Sequence, residues 1–194
     1  MKTRPEELKD LFVRTGALLS GHFRLSSGRH SDQYFQCALV LSDPATAERL
    51  GRELARLVEQ RCPGARAIVA PAMGGVIIGH ETARALKIRS IFAERQDGKM
   101  TLRRGFTVAR GEPVAVVEDV ITTGKSTGEV VELLRGLGAK VLGAASIVLR
   151  AEEAPKLDVP FMSLAHLPAK SWEEKACPLC AEGEPVIKPG SRPG

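Results

Sequence analysis

The residues best equipped for chemistry stand together, in the run Glu118-Asp119-Val120-Ile121-Thr122-Thr123-Gly124-Lys125-Ser126-Thr127. Two adjacent carboxylates close the apolar run Val114-Ala115-Val116-Val117, and a turn rich in hydroxyls leads into a helical pattern. In open α/β sheets, ligands bind beyond the carboxyl ends of the strands. A helix N-terminus offers unpaired N–H groups and the positive end of its dipole, which suits a phosphate. Gly124 permits close backbone approach, and Thr122, Thr123, Ser126 and Thr127 supply hydroxyl donors. Carboxylates repel phosphate, so Glu118 and Asp119 must serve other atoms of a ligand. A vicinal diol, two donors for two acceptor-only groups, is an obvious partner. The plain alternative is a strand end with capping residues and a tight turn, since each piece alone is common. Gly124-Lys125-Ser126 has the close of a P-loop, but that motif needs a glycine five residues before Gly124, where Asp119 stands.

The elements that must hold this segment alternate. A helix is expected from about Pro5 to Thr15, with Leu8, Leu11 and Phe12 on one stripe. A Gly- and Ser-rich stretch, 21–31, precedes an extended segment from Gln33 to Leu41. Asp43-Pro44 opens a second helix as N-cap and first residue, and Leu50, Leu54, Leu57 and Val58 form its buried face. Then come a strand at Ala67–Ala70, a turn at Met73-Gly74-Gly75, a helix over Val76–Leu86 and a strand over Ser90–Glu94. Residues 95–101 are polar and read as mobile. The central strand at 114–117, a helix over Ser126–Leu137 and a strand over Val141–Leu149 follow. Such alternation predicts an α/β fold, a parallel sheet covered by helices on both faces. The Pro-, Lys- and Glu-rich stretch from Asp158 onward is expected on the surface.

Bulk properties narrow the function classes. The 194 residues fit one domain with an ordinary core. A net charge of +5 favours acidic partners, but aromatics are only 4%, which argues against a stacking platform for nucleic acid. The longest mostly apolar stretch, Ile68–Gly79, is too short to span a bilayer, and residues 1–7 carry no apolar signal core. A cytoplasmic protein that binds neither nucleic acid nor membrane is therefore expected, its four cysteines reduced.

Residues 116–127 resemble the phosphoribosyl-pyrophosphate signature of type I phosphoribosyltransferases. The resemblance implies that fold, a central mostly parallel sheet flanked by helices with a small N-terminal hood. The expected division is 1–42 for the hood and N-terminal helix, 43–157 for the core and 158–194 for a C-terminal extension. It further implies that Glu118 and Asp119 hold the ribose 2′- and 3′-hydroxyls and that Thr122, Thr123, Gly124, Lys125 and Ser126 wrap the 5′-phosphate, with Val120 and Ile121 completing the binding segment. The transition state is oxocarbenium-like, and two nearby carboxylates stabilise its charge. Mg²⁺, carried by the pyrophosphate with no direct protein ligand, would neutralise the leaving group.

Three further segments are similar to the orotate branch of that family. Residues 21–35, Gly-His-Phe-Arg-Leu-Ser-Ser-Gly-Arg-His-Ser-Asp-Gln-Tyr-Phe, resemble its hood; Phe92-Ala93-Glu94-Arg95 through Arg103-Arg104-Gly105-Phe106 resemble its loop; and Arg150 stands where that branch places a base-binding arginine. The implied reaction is orotate plus phosphoribosyl pyrophosphate giving orotidine 5′-phosphate. A guanidinium matches the orotate carboxylate, with Thr122 near the same end of the base and backbone around Tyr34 and Phe35 reading its edge. The resemblance also implies a homodimer with shared active sites, in which the charged loop reaches the neighbouring subunit's site. Arg95 keeps its role there, which of Lys99, Arg103 and Arg104 meets the pyrophosphate is open, and a solvated charged hairpin is the plain alternative. Lys99 is the candidate catalytic cation, although Arg103 and Arg104 compete with it. The chain departs from the better-known members at Ser26, where they carry lysine, and at Met73-Gly74, where they carry Tyr-Lys. The loop Ala72-Met73-Gly74-Gly75 must then use backbone N–H groups. Rival readings are a purine phosphoribosyltransferase, disfavoured by the hood and Arg150, and a non-catalytic ligand sensor, disfavoured by the charged loop.

Cys177-Pro178-Leu179-Cys180 has the spacing of half a zinc site. The chain has no second Cys-x-x-Cys; His166 or a second subunit could complete a set. A structural turn is the expected role, and the motif lacks the context of a redox centre.

Overall fold

The computed structural model describes residues 4–25 and 27–188, so Ser26 lies outside the described residues. The core is a six-stranded sheet in the order β5-β4-β3-β6-β7-β8. Its strands are β3 (Ala67–Pro71), β4 (Arg89–Gln96), β5 (Lys99–Leu102), β6 (Pro113–Ile121), β7 (Lys140–Leu149) and β8 (Phe161–His166). Every pairing is parallel except β4 with β5. Side chains alternate across the central strands. Ile68, Ala115 and Val117 join one apolar cluster, and Val69, Val114 and Val116 the other. Both faces are thus covered, which is why these strands read as continuous apolar runs.

Helices α3 (Pro44–Arg61) and α4 (Gly75–Leu86) cover the first face and α5 (Lys125–Gly136) the second. As the sequence predicts, the Asp43 side chain caps α3, accepting from the Thr46 N–H at 3.1 Å, with Pro44 at the first turn. Leu50, Leu54 and Val58 are buried, and Leu57 packs at the cluster edge. The two helices touch at Gly51, where an added Cβ would lie 2.6 Å from Glu81 Cβ. That close approach fixes α4, whose first turn adjoins the end of β3.

Over this core sits a small antiparallel sheet of β1 (Leu18–Arg24), β2 (His30–Phe35) and β9 (Ser171–Trp172), in the order β1-β2-β9. The helix α1 (Pro5–Arg14) packs beside it with Leu8 and Phe12 buried.

Four local expectations are corrected. The extended segment Gln33–Leu41 ends at Phe35, and Cys37–Leu41 forms the short helix α2. Its buried Cys37, Val40 and Leu41 have the i, i+3, i+4 spacing of a helix face. Residues 95–101 form a tight hairpin in which Gln96 pairs with Lys99. Asp97 and Gly98 have φ of 49° and 80°, the double positive φ of a type I′ turn. The central strand runs on through the carboxylates to Ile121. The stretch from Asp158 is not wholly superficial: β8 is the sixth core strand, with Leu164 and Ala165 buried, and β9 completes the hood.

The α3–α4 contact yields a stability test. A Gly51→Ala variant must push its Cβ into the Glu81 backbone, so a loss of about 1–3 kcal/mol is expected, typical of overpacking. A urea midpoint equal to wild type would show that this contact does not set the helix position.

Candidate active site

From β3 the chain runs outward to β4 on one side, while β6 pairs with β3 on the other. The crevice between their carboxyl ends is the topological switch point, where α/β sheets bind ligands. The loop 72–75 after β3 and the segment 118–127 meet there. Gly74 and Asp119 are in near contact, since a Cβ on Gly74 would fall 2.7 Å from Asp119 Oδ2 and 2.8 Å from Oδ1. Any side chain at residue 74 would therefore displace that carboxylate.

The two acids are held differently. Asp119 Oδ1 accepts from the Val120 N–H at 2.8 Å. Glu118 Oε2 accepts from the Thr127 hydroxyl, so Thr127, buried in the first turn of α5, orients the acid and does not face a ligand. Burial raises the Glu118 carboxyl to about 7; the Thr127 bond opposes this and the neighbouring Asp119 charge adds to it. Burial also raises Asp119, against the pull of backbone N–H bonds. Two such groups await partners that donate hydrogen bonds or carry positive charge.

At Gly124 the backbone takes φ +75°, and a Cβ there would meet Pro155 Cβ at 2.8 Å. The turn delivers the first N–H groups of α5 beside Thr122 and Thr123. Those two residues line a cleft of about 730 Å³ shared with Leu25, Arg29, Ala169 and Lys170. Glu118 and Asp119 are outside this lining, so the cleft extends from the signature turn towards the hood. Ser126 is half-buried and Lys125 exposed.

Arg150 follows β7 directly and is only 4% exposed, which excludes a surface role. Its Nη2 donates to Ser31 Oγ and to the Gln33 carbonyl at 3.0 Å, and its guanidinium carbon lies 6.0 Å from the centre of the Phe35 ring. Its Nε is buried without a partner among the described residues, as is Asp32 Oδ1. Burial lowers the Arg150 pKa, opposed by the charges of Asp32 and Tyr34. Tyr34 is half-buried; burial raises its phenol, the Asp119 charge adds to this, and Arg150 opposes it. Tyr34 thus bridges hood and signature electrostatically. Phe35 packs edge-on against Phe12 at 5.8 Å in the core cluster. Ser31 and Gln33, which hold Arg150, went unassigned in the sequence, where only their place in the polar run before Tyr34 marked them.

The charged hairpin stands apart. Arg95 donates to the Gly98 carbonyl at 2.6 Å and pairs with Glu129 on α5. Arg104 makes two 2.8 Å bonds to Glu94. Among the described residues, Lys99 and Arg103 are exposed and make no ion pair. Strand β5 lies three places from β6, roughly 14 Å at ordinary strand spacing. Within one chain, therefore, Lys99 does not reach Glu118 and Asp119.

Comparison with known proteins decides the family. A model of the phosphoribosyl transferase domain matches residues 42–181. The chain is 48% identical over 187 residues to the orotate phosphoribosyltransferase of Desulforamulus reducens, covering 96% of this chain and 97% of that one. It is 49% identical over 185 residues to that of Thermotoga maritima, covering 95% and 98%. The chain belongs to the orotate phosphoribosyltransferases. The crystal structure of the orotate phosphoribosyltransferase from Aeropyrum pernix superposes with a TM-score of 0.71 at 28% identity, over 82% of this chain and 93% of that one. An adenine phosphoribosyltransferase from Thermoanaerobacter pseudethanolicus superposes with a TM-score of 0.61 at 20% identity, over 69% and 88%, and shares the fold alone.

In this orotate phosphoribosyltransferase, the raised Glu118 carboxyl links stability to pH. The folded state binds that proton more tightly than the unfolded chain. The resulting stabilisation is full below the ordinary value of 4.5 and is lost as pH rises through about 7. Glu118→Gln cannot ionise and escapes that loss. Its stability relative to wild type should improve by on the order of 3 kcal/mol between about pH 4.5 and about pH 8. Urea titrations of the ligand-free proteins near both ends measure the gap, and an identical gap would refute the assignment.

Proposed function

We infer that the chain transfers the 5-phosphoribosyl group from phosphoribosyl pyrophosphate to orotate, giving orotidine 5′-phosphate and pyrophosphate (EC 2.4.2.10), a step of UMP biosynthesis. The observation that carries this reading is the pair of half-buried carboxylates at the switch point, in a chain that a relative matches over 96% of its length. Glu118 and Asp119 accept from the ribose 2′- and 3′-hydroxyls, which replace the solvent that burial has removed. As the bond to pyrophosphate lengthens, positive charge grows on the anomeric carbon and the ring oxygen, and the two acids stabilise it at close range. Backbone and hydroxyl donors of residues 120–126 hold the 5′-phosphate at the start of α5. The loop 72–75, without a side chain at Gly74, brings backbone N–H groups to the pyrophosphate.

Orotate lies under the hood. Arg150 binds its carboxylate, and its buried, unpartnered Nε is the donor in reserve. Thr122 contacts the same end of the base, and backbone near Tyr34 and Phe35 reads its edge. The carboxylate oxygens of Glu118 and Asp119 suit a hard cation held through water, and Mg²⁺ carried by the pyrophosphate would neutralise charge on the leaving group.

The enzyme acts as a homodimer in the cytoplasm, where its thiols stay reduced. Arg95 and Lys99 serve the neighbouring subunit, a reading supported by the distance of β5 from β6 within one chain. Met73 and Ile77, 83% and 45% exposed, stand one turn apart beside the site and offer an apolar patch for the partner.

Incubation with phosphoribosyl pyrophosphate, Mg²⁺ and orotate, adenine, guanine or hypoxanthine separately tests the reaction. Turnover with orotate alone, abolished by chelation, is expected, and turnover with a purine instead would replace the reading. Arg150→Ala should raise the orotate KM tenfold to a hundredfold, from loss of a charge-assisted contact of about 1.5–3 kcal/mol, with a much smaller effect on phosphoribosyl pyrophosphate. An unchanged orotate KM removes Arg150 from the base site.

For the shared site, an inactive variant with Arg95, Lys99, Arg103 and Arg104 all changed to Ala is mixed with inactive Asp119→Asn. After subunit exchange, about a quarter of wild-type activity should return, because half the dimers are mixed and each has one intact composite site. Demonstrated exchange without recovery would place the hairpin's action within its own chain.

A further inference from the structure

The Cys-x-x-Cys pair does form a turn, with Cys177 capping the short helix α6 (Pro178–Ala181) and Cys180 one turn on. The structure adds what the sequence did not show: both sulfurs face two imidazoles of the hood. Cys177 Sγ lies 3.5 Å from His22 Nε2, while Cys180 Sγ lies 3.6 Å from His22 Nε2 and 3.2 Å from His30 Nδ1. The two ring nitrogens are 2.8 Å apart, and all four atoms fall within 4.8 Å of one another. His166, one of the groups that could have completed a set, instead bonds the Ala151 carbonyl at 2.7 Å.

Hydrogen bonding alone does not account for this convergence. His22 Nδ1 sits 2.8 Å from the Glu184 carbonyl oxygen. A carbonyl only accepts, so Nδ1 carries the proton and Nε2 presents a lone pair. That single in-plane lone pair faces three polar atoms, His30 Nδ1 and two sulfurs, and can accept well from one. A cation at the centre is served by all four. Ligand distances of about 2.0–2.1 Å to nitrogen and about 2.3 Å to sulfur give tetrahedral edges of roughly 3.3–3.8 Å. The sulfur–nitrogen contacts sit near this range, and the imidazole edge is compressed.

Local structure supports the arrangement. Strand β1 carries an extra residue between Ser20 and Phe23, a bulge that re-aims side chains next to His22. His22, His30 and Cys177 are buried, and Cys180 stands at the rim. The Glu184 carbonyl fixes the His22 tautomer, as outer partners of metal-bound histidines do.

We propose that His22 Nε2, His30 Nδ1, Cys177 Sγ and Cys180 Sγ bind one zinc ion that ties the hood strands β1 and β2 to the C-terminal segment. Two thiolates and two imidazoles are a zinc donor set, and four protein ligands leave no open position, so the site is structural and not catalytic. Binding releases the two thiol protons to solvent. The site is independent of the reaction proposed above.

The test uses the full chain, purified under reducing conditions, supplied with Zn²⁺ and dialysed. Metal analysis should find about one zinc per chain. Stripping the metal should lower the thermal midpoint, and Zn²⁺ should restore it. Refilling the stripped chain with Co²⁺ should give the visible bands of a tetrahedral ion and a near-ultraviolet thiolate charge-transfer band. Cys180→Ser, at the rim, should lose stoichiometric zinc and the dependence of its midpoint on metal. If that variant does not fold, the wild-type cobalt spectrum decides. Wild-type protein that retains well under one zinc per chain, or a cobalt spectrum without thiolate charge transfer, overturns the proposal.

Discussion

The site rests on two carboxylates half-buried at the end of a central parallel strand. Water would solvate Glu118 and Asp119 freely at the surface; the switch point removes part of it, and both acids respond by holding their protons more tightly. The sheet makes this placement unavoidable. Strand β6 pairs on both sides, with β3 and β7, and carries its side chains into two apolar clusters up to Val117. The next two residues emerge where the neighbouring strand turns away. Gly74 is part of the same constraint, because only a residue without a side chain leaves room for Asp119. The carboxylates, the bare loop and the start of α5 form one construction, and altering any of them unsettles the other two.

Much of this was legible in the sequence because the signals were local. The run Val114–Val117, the cap at Asp43-Pro44 and the glycine before α5 each act within a few residues, and each element appears where its chemistry requires. Contacts made over long separations were not legible. Nothing near Arg150 in the chain announces Ser31 and Gln33, more than a hundred residues away, yet they hold its guanidinium. Strand β8 was hidden by its polar, Pro-rich surroundings, although Leu164 and Ala165 are buried in the sheet. Thr127 was read as a phosphate donor because its spacing allowed it, and only the fold shows Glu118 taking its hydrogen bond.

The hood poses a separate physical problem. A three-stranded sheet whose third strand is two residues long cannot bury a core of its own. Its position therefore depends on bonds to other parts of the chain. Arg29 donates to the Ser171 carbonyl at 2.7 Å and pairs with Glu173. Ser31 donates to the Lys170 carbonyl at 2.6 Å while accepting from Arg150. Ile187 bonds both Arg24 and His22 through its backbone. Each of these ties joins the first fifth of the sequence to its end or to Arg150 just after β7, so the C-terminal segment acts as the hood's outer support.

This dependence gives the histidine–cysteine cluster its place in the energetics. The backbone ties are individually worth about 0.5–1.5 kcal/mol, and several are open to solvent. A short segment held by them alone would open locally well before the core unfolds. Closing the long loop between residue 30 and residue 177 is entropically costly, and a metal bound only by the folded arrangement would offset part of that cost. A site whose ligands come from β1, β2 and the start of α6 joins two hood strands to the C-terminal segment. Pro178, between the two cysteines, and Trp172 line the cleft that Thr122 also lines, so holding the C-terminal segment in place also holds that wall of the cleft.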